Sequence, residues 1–178
     1  VTEKDDPANT APNGRDGRRH EERVEAKPDD DSAARWRLLA LFLSGVLIGA
    51  IWELLQFRLY VHEGGESVLW SHSLLAAGGD GALVVLLYAI GLGRTRDDIW
   101  YLHPRAREVA LVSAIAAALG IASELIGVYG VRRWTYADAM PLVPVLKIGL
   151  VPVISTLIVP LVAFVVTGFV FDRARGRS

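Results

Sequence analysis

The chain has 178 residues, no cysteine, 52% hydrophobic residues and a mean hydropathy of +0.32. The missing cysteine excludes a disulfide framework, a thiolate metal site and a cysteine nucleophile, and the rest reads as a multi-pass membrane protein with a soluble appendage. A net charge of −1 conceals a division: residues 1–34 carry ten acidic and six basic residues, and the remainder carries ten and thirteen.

Residues 1–34 mix Pro, Gly, Asn and dense charge with no apolar periodicity. So little apolar surface cannot offset the entropy of ordering, and the segment reads as a disordered cytoplasmic tail. Its arginines, Arg15, Arg18, Arg19 and Arg23, are diluted by neighbouring acids, so no nucleic-acid partner is expected.

Residues 35–178 read as an all-α membrane domain of four spans in a compact bundle. The spans run from about Trp36 to Phe57, Val68 to Leu92, Val109 to Tyr129 and Val143 to Phe171. Each is long enough to cross a hydrocarbon core of about 30 Å at about 1.5 Å per residue. The fourth is overlong and proline-interrupted, with Pro144, Pro152 and Pro160 in it. Pro152 also fits the first turn of a shorter helix, which would leave Met140 to Gly149 as an interfacial or re-entrant segment.

Lys and Arg in short flanking loops set orientation. Arg35 and Arg37 precede the first span, Arg94, Arg96, Arg105 and Arg107 fill the second loop, and Arg173, Arg175 and Arg177 follow the fourth span. Both termini are therefore expected in the cytoplasm, across a bacterial cytoplasmic membrane. Arg132 and Arg133 in the third loop run against this count.

Glu53, His72, Asp80 and Glu124 are ionisable residues inside these apolar stretches. A charge at the bilayer centre costs about 2.5–3.5 kcal/mol on insertion scales, so such residues generally have a pairing or functional role. The topology puts Glu53, His72 and Glu124 about 7 Å below the outer boundary, and Asp80 about 12 Å deeper than His72. Helical spacing aims the acids inward. Gly45, Gly49 and Glu53 recur at four-residue steps with Gln56 beyond, and Ser113, Ala117, Gly120, Glu124 and Gly127 form another stripe. In the second span, Ala76, Gly79 and Asp80 adjoin the face that carries His72. Small residues on one face let helices approach closely.

Lys147 falls near the outer polar layer and is a candidate counter-ion for Glu53 or Glu124. The loop Arg132 to Pro141 adds Arg132, Arg133, Trp134, Tyr136 and Asp138, a set that could cap a cavity and hold a phosphate or carboxylate. His62 and His103 read as solvated loop residues.

Four readings of this layer follow, beside simple interhelical pairing. The favoured one is proton- or cation-coupled transport or binding of a small ligand, because a membrane-embedded carboxylate can exchange a proton for a cation. Four spans are few for a pathway, which suits a homodimer. A second is acid/base catalysis on a lipid or isoprenoid by His72 with Glu53 or Glu124. A third, metal held by those same residues, has no local ligand pair, so neither metal nor cofactor is expected. The fourth is a subunit whose polar faces pair with another membrane protein. Membrane lipids are expected partners in every case.

Overall fold

The computed structural model describes residues 28–61 and 66–175, and the side chains of 28–31, 66–72 and 171–175 lie outside that description. The chain is mostly helical: α1 (Pro28–Gln56), α2 (Glu66–Thr95), α3 (Ala106–Leu125) and α4 (Leu150–Arg175). Two short strands, β1 (Tyr60–Val61) and β2 (Thr135–Tyr136), pair antiparallel, with Tyr60 opposite Tyr136 and Val61 opposite Thr135. Four helical stretches are long and apolar enough to cross a membrane, Ser32–Leu59, Ser73–Thr95, Ala106–Gly130 and Leu150–Val170. The protein is thus built as a multi-pass integral membrane protein. The β1–β2 ladder joins the segment after α1 to the segment between α3 and α4.

Two boundaries differ from those read in the sequence. α1 begins at Pro28, inside the segment expected to be tail. A proline followed by Asp29, Asp30 and Asp31 is the composition that a helix N-terminus favours, through the proline's fixed φ and the helix dipole. The rest of the expected tail, residues 1–27, lies outside the described residues.

The fourth helix starts at Leu150 and not at Val143. Pro144 disfavours helical backbone at Val143, and Val145 and Lys147 have φ of 70° and 54°, which no right-handed helix accommodates. The segment before α4 folds back on itself instead. Leu142 bridges Gly149, and the Leu150 N–H donates to Pro141 O at 2.8 Å. Pro152 sits in the first turn of α4, where no N–H is needed, and Pro160 lies inside the helix.

Glycines set the helix contacts. A β-carbon at Gly45 would come within 2.9 Å of the Gly81 backbone and 2.8 Å of Val84, so α1 crosses α2 at van der Waals range. In lipid, where burial of apolar surface drives little, such close packing supplies much of the attraction. α4 packs on α3 and α2, and Thr167 Oγ1 reaches Ser44 Oγ of α1 at 3.1 Å. The opposite side of α1, with Leu43, Leu47, Ile51 and Leu55, is exposed at helical spacing, as a lipid-facing stripe would be.

The core lies towards the end away from the strands. Leu41, Val84, Leu87, Val112, Ala116 and Ala163 surround a knot of aromatic rings. Trp100 and Phe164 meet edge-on at 5.4 Å between centroids, and Tyr88 and Tyr101 at 5.8 Å. The Trp100 ring fits because Gly91 has no side chain to obstruct it, and its N–H donates to Tyr88 O at 3.2 Å. This layer fills the space between the helices on that side.

Candidate functional site

Between the aromatic layer and the β1–β2 ladder the helices part around a cavity of about 710 Å³. All four helices and the loop after α3 contribute walls. Glu53 and Gln56 come from α1, Gly79 and Asp80 from α2, Gly120, Ser123 and Glu124 from α3, and Ser155 and Thr156 from α4. Arg132, Arg133, Trp134 and Thr135 line it from the loop. The volume is that of a small-molecule site, about 300–1,000 Å³.

The local sequence explains how these side chains arrive. On α1, Gly49 packs against the Asp80 side chain, and Glu53 stands one turn, about 6 Å, further towards the strands. Gly120 makes room for Thr156, closing α3 onto α4. Ser155 and Thr156 donate to the carbonyls of Pro152 and Val153, at 2.7 and 2.8 Å, which satisfies both hydroxyls within their own helix. After Leu125 the helix widens into a π turn, Ile126–Gly130, a distortion often found at functional sites. Gly127 in that turn admits the Trp134 ring, and the strand ladder brings Tyr136 beside it.

The three acids differ in their partners. Glu124 is 5% exposed and accepts two hydrogen bonds on Oε2, from the Tyr136 hydroxyl and from Trp134 Nε1 at 3.4 Å. Glu53 is half-buried and accepts from Gln56 Nε2 at 2.8 Å, while the Trp52 indole N–H donates to Gln56 Oε1 at 3.2 Å. Asp80, also half-buried, has no hydrogen bond or ion pair among the described residues. Burial, with Glu124 and Glu53 nearby, pushes the Tyr60 phenol above its ordinary range. Burial and the hydrogen bond to Glu124 do the same for Tyr136. Both phenols therefore remain donors at physiological pH.

Of the candidates in the sequence, Glu53, Asp80, Glu124, Arg132, Arg133 and Trp134 line this one cavity. Tyr136 reaches it through Glu124. Asp138 lines a smaller recess of about 540 Å³ with Met140 and Leu142, on the far side of Arg132 and Trp134. Lys147 is not brought in as the counter-ion of Glu53 or Glu124. It is exposed in the folded-back loop, where its carbonyl accepts from the Tyr129 hydroxyl at 3.4 Å, and it makes no ion pair among the described residues. A positive φ at Lys147 and the turn around Pro144 hold it outside the cavity. His72 belongs to α2, but its side chain lies outside the described residues, as does all of His62. Among the described residues no three His, Asp or Glu groups gather as a metal-ligand set.

Tyr60, Ser123, Ser155 and Thr156 also line the cavity and are not among the candidates that the sequence singles out. The adjacent hydroxyls at 155 and 156 inside an apolar run were a readable signal. Nothing announced Tyr60, which enters the wall through strand pairing. No protein-family model, curated protein or solved structure matches this chain.

Proposed function

We propose that the cavity binds a small ligand bearing a cationic group, and that the ligand displaces a proton from Asp80, the binding half of a proton-coupled transport cycle. The observation that carries this reading is the state of Asp80. It is the one acid of the three in the cavity wall that has no donor within the described residues. A carboxylate left this way in a membrane is costly unless a proton or a cation neutralises it. Exchange between the two is then the natural chemistry of the site. Glu53, one turn towards the strands, supplies a second carboxyl group in the same cavity wall.

We place the mouth of the cavity on the strand side, where the exposed Arg132 and Arg133 line it, because the aromatic layer of Tyr88, Trp100, Tyr101 and Phe164 lies towards the other end. Arg37, Arg94, Arg105 and Arg107 cluster at that other side, which favours placing it in the cytoplasm and the cavity towards the extracytoplasmic leaflet. A transport cycle would require the aromatic layer to part.

The test uses the full chain in phosphatidylglycerol nanodiscs with tetraphenylphosphonium as probe. Calorimetry in two buffers of different ionisation enthalpy reads affinity and proton release together. Binding with proton release, and a loss of at least tenfold in affinity with no release in Asp80→Asn, is the expected result. Equal binding by wild type and Asp80→Asn would overturn the reading.

A further inference from the structure

We infer that the ligand is a zwitterion, an ammonium joined to a phosphate or carboxylate, with its anionic group held by Arg132 and Arg133 at the cavity mouth. This rests on the cation-binding reading above and goes beyond it. A site for a cation alone gains nothing from two guanidinium groups in its wall, since they repel the ligand. Yet both arginines line the cavity, both are exposed, and neither makes an ion pair among the described residues.

Two further observations set these arginines apart from ordinary loop charges. On the orientation proposed above they lie on the extracytoplasmic side, where short loops are ordinarily poor in Lys and Arg. Arg132 also holds a φ of 50°, a conformation disfavoured for any residue with a side chain. That turn follows the π-helical end of α3, and the Arg133 N–H closes it on Gly127 O at 2.8 Å. The backbone is thus committed to delivering consecutive arginines to the mouth. Planar guanidinium forks suit phosphate and carboxylate oxygens.

The spacing fits one small ligand. The strand ladder ties the loop to the end of α1, where the Ala137 N–H donates to Leu59 O at 2.9 Å. About 10 Å of helix rise separates Glu53 from that level, a gap that two extended side chains bridge with a small zwitterion between them. The ammonium then meets Glu53, with Asp80 about 6 Å deeper in the same wall, and the anionic group stays at the mouth. The same pair of charges occurs on an aminophospholipid headgroup and on a free aminoalkyl phosphate.

Binding to the full chain in phosphatidylglycerol nanodiscs separates these sources. The probes are lysophosphatidylethanolamine, O-phosphoethanolamine, dodecylammonium and tetraphenylphosphonium. The expected result is that a zwitterion binds at least tenfold tighter than dodecylammonium. If only the lyso-lipid does so, the source is a lipid; if O-phosphoethanolamine matches it, the source is soluble. In Arg132→Gln with Arg133→Gln, zwitterion affinity should fall about tenfold while tetraphenylphosphonium binding tightens, because repelling charges are gone. The Arg132→Lys, Arg133→Lys variant retains the charges and should keep most zwitterion binding. Tetraphenylphosphonium binding without preference for a zwitterion, or an equal response of both probes to the glutamine variant, overturns this inference alone. Failure of every probe to bind overturns the cation-binding reading with it.

Discussion

Asp80 of α2 lies directly over Gly49 of α1, so that a β-carbon at position 49 would overlap the Asp80 carboxylate and come within 2.8 Å of its Cβ. The Gly45/Gly49 pair, one turn apart, therefore has two roles. Gly45 lets the backbones touch, and Gly49 gives the carboxylate its place at the cavity wall. Gly49→Ala should push Asp80 out of position, lowering tetraphenylphosphonium affinity about tenfold and stability by about 1–3 kcal/mol, the usual cost of overpacking. Gly45→Ala meets Val84, the Gly81 backbone and, at 3.2 Å, the Asp80 carbonyl, but not the Asp80 carboxylate. It should cost similar stability and leave affinity within about twofold. Thermal unfolding in detergent and calorimetric binding on both variants check the contrast, and equal affinity losses would contradict it.

Glu124 depends on its two donors. In Tyr136→Phe the buried carboxylate keeps only the long contact from Trp134, at 3.4 Å. Leaving a buried acceptor short of a donor costs about 1–3 kcal/mol. Tyr136→Phe should lower the unfolding midpoint measurably, and Glu124→Gln in that background should recover part of the loss, because a neutral amide is less costly to bury. An unfolding midpoint unchanged in Tyr136→Phe would show that the hydrogen bond contributes little.

The spans were legible because length and apolarity alone specify a membrane helix, and the inward stripes because small residues mark close contact. Those stripes aim the acids inward; in the structure Gly49 meets Asp80 of α2, and Glu53 and Glu124 line the cavity. Loops were harder to read. Lys147 is near the polar layer in sequence, yet Pro144, Val145 and its own φ turn it outwards. The start of α4 was obscured because Val143 to Gly149 is as apolar as a helix would be, and only backbone geometry distinguishes them. The Tyr60–Tyr136 pairing joins residues distant in sequence through strands of two residues, too short to leave an alternation pattern.

Tyr60 and Tyr136 also predict a pH dependence. Burial holds both phenols above their ordinary value in the folded protein, helped by Glu124 beside each. In the unfolded chain they ionise near about pH 10. Their contribution to stability is complete below that pH and declines above it, as the unfolded state releases protons first. Absorbance titration of the phenolates should therefore show two tyrosines ionising late, and the unfolding midpoint should drop on raising the pH above about 10. The Tyr60→Phe, Tyr136→Phe variant should flatten that part of the profile. A profile as steep as the wild type's would assign the effect to other groups.

At the opposite end of the helices, Arg37 and Asp98 form an asymmetric ion pair. The Arg37 side chain is 8% exposed and that of Asp98 is 59% exposed. Besides the carboxylate, Arg37 donates to Asp98 O at 3.3 Å, and the Tyr88 hydroxyl donates to that same carbonyl at 2.9 Å. Removing either partner breaks the pair, but what remains differs. Asp98→Ala leaves a buried guanidinium with only uncharged partners, the carbonyl of residue 98 and the Tyr88 side chain, whereas Arg37→Met leaves a carboxylate that water can reach. Uncompensated buried charge is the larger penalty, about 3–5 kcal/mol when burial is complete, and less here because one partner is solvated. Asp98→Ala should thus destabilise by about 2 kcal/mol and Arg37→Met by about half as much. The double variant should be more stable than Asp98→Ala alone, since the methionine removes the stranded charge and fills its space. A double-mutant cycle on unfolding midpoints decides the matter: if Arg37→Met is the more damaging change, the arginine acts through packing against the helices and not through its charge.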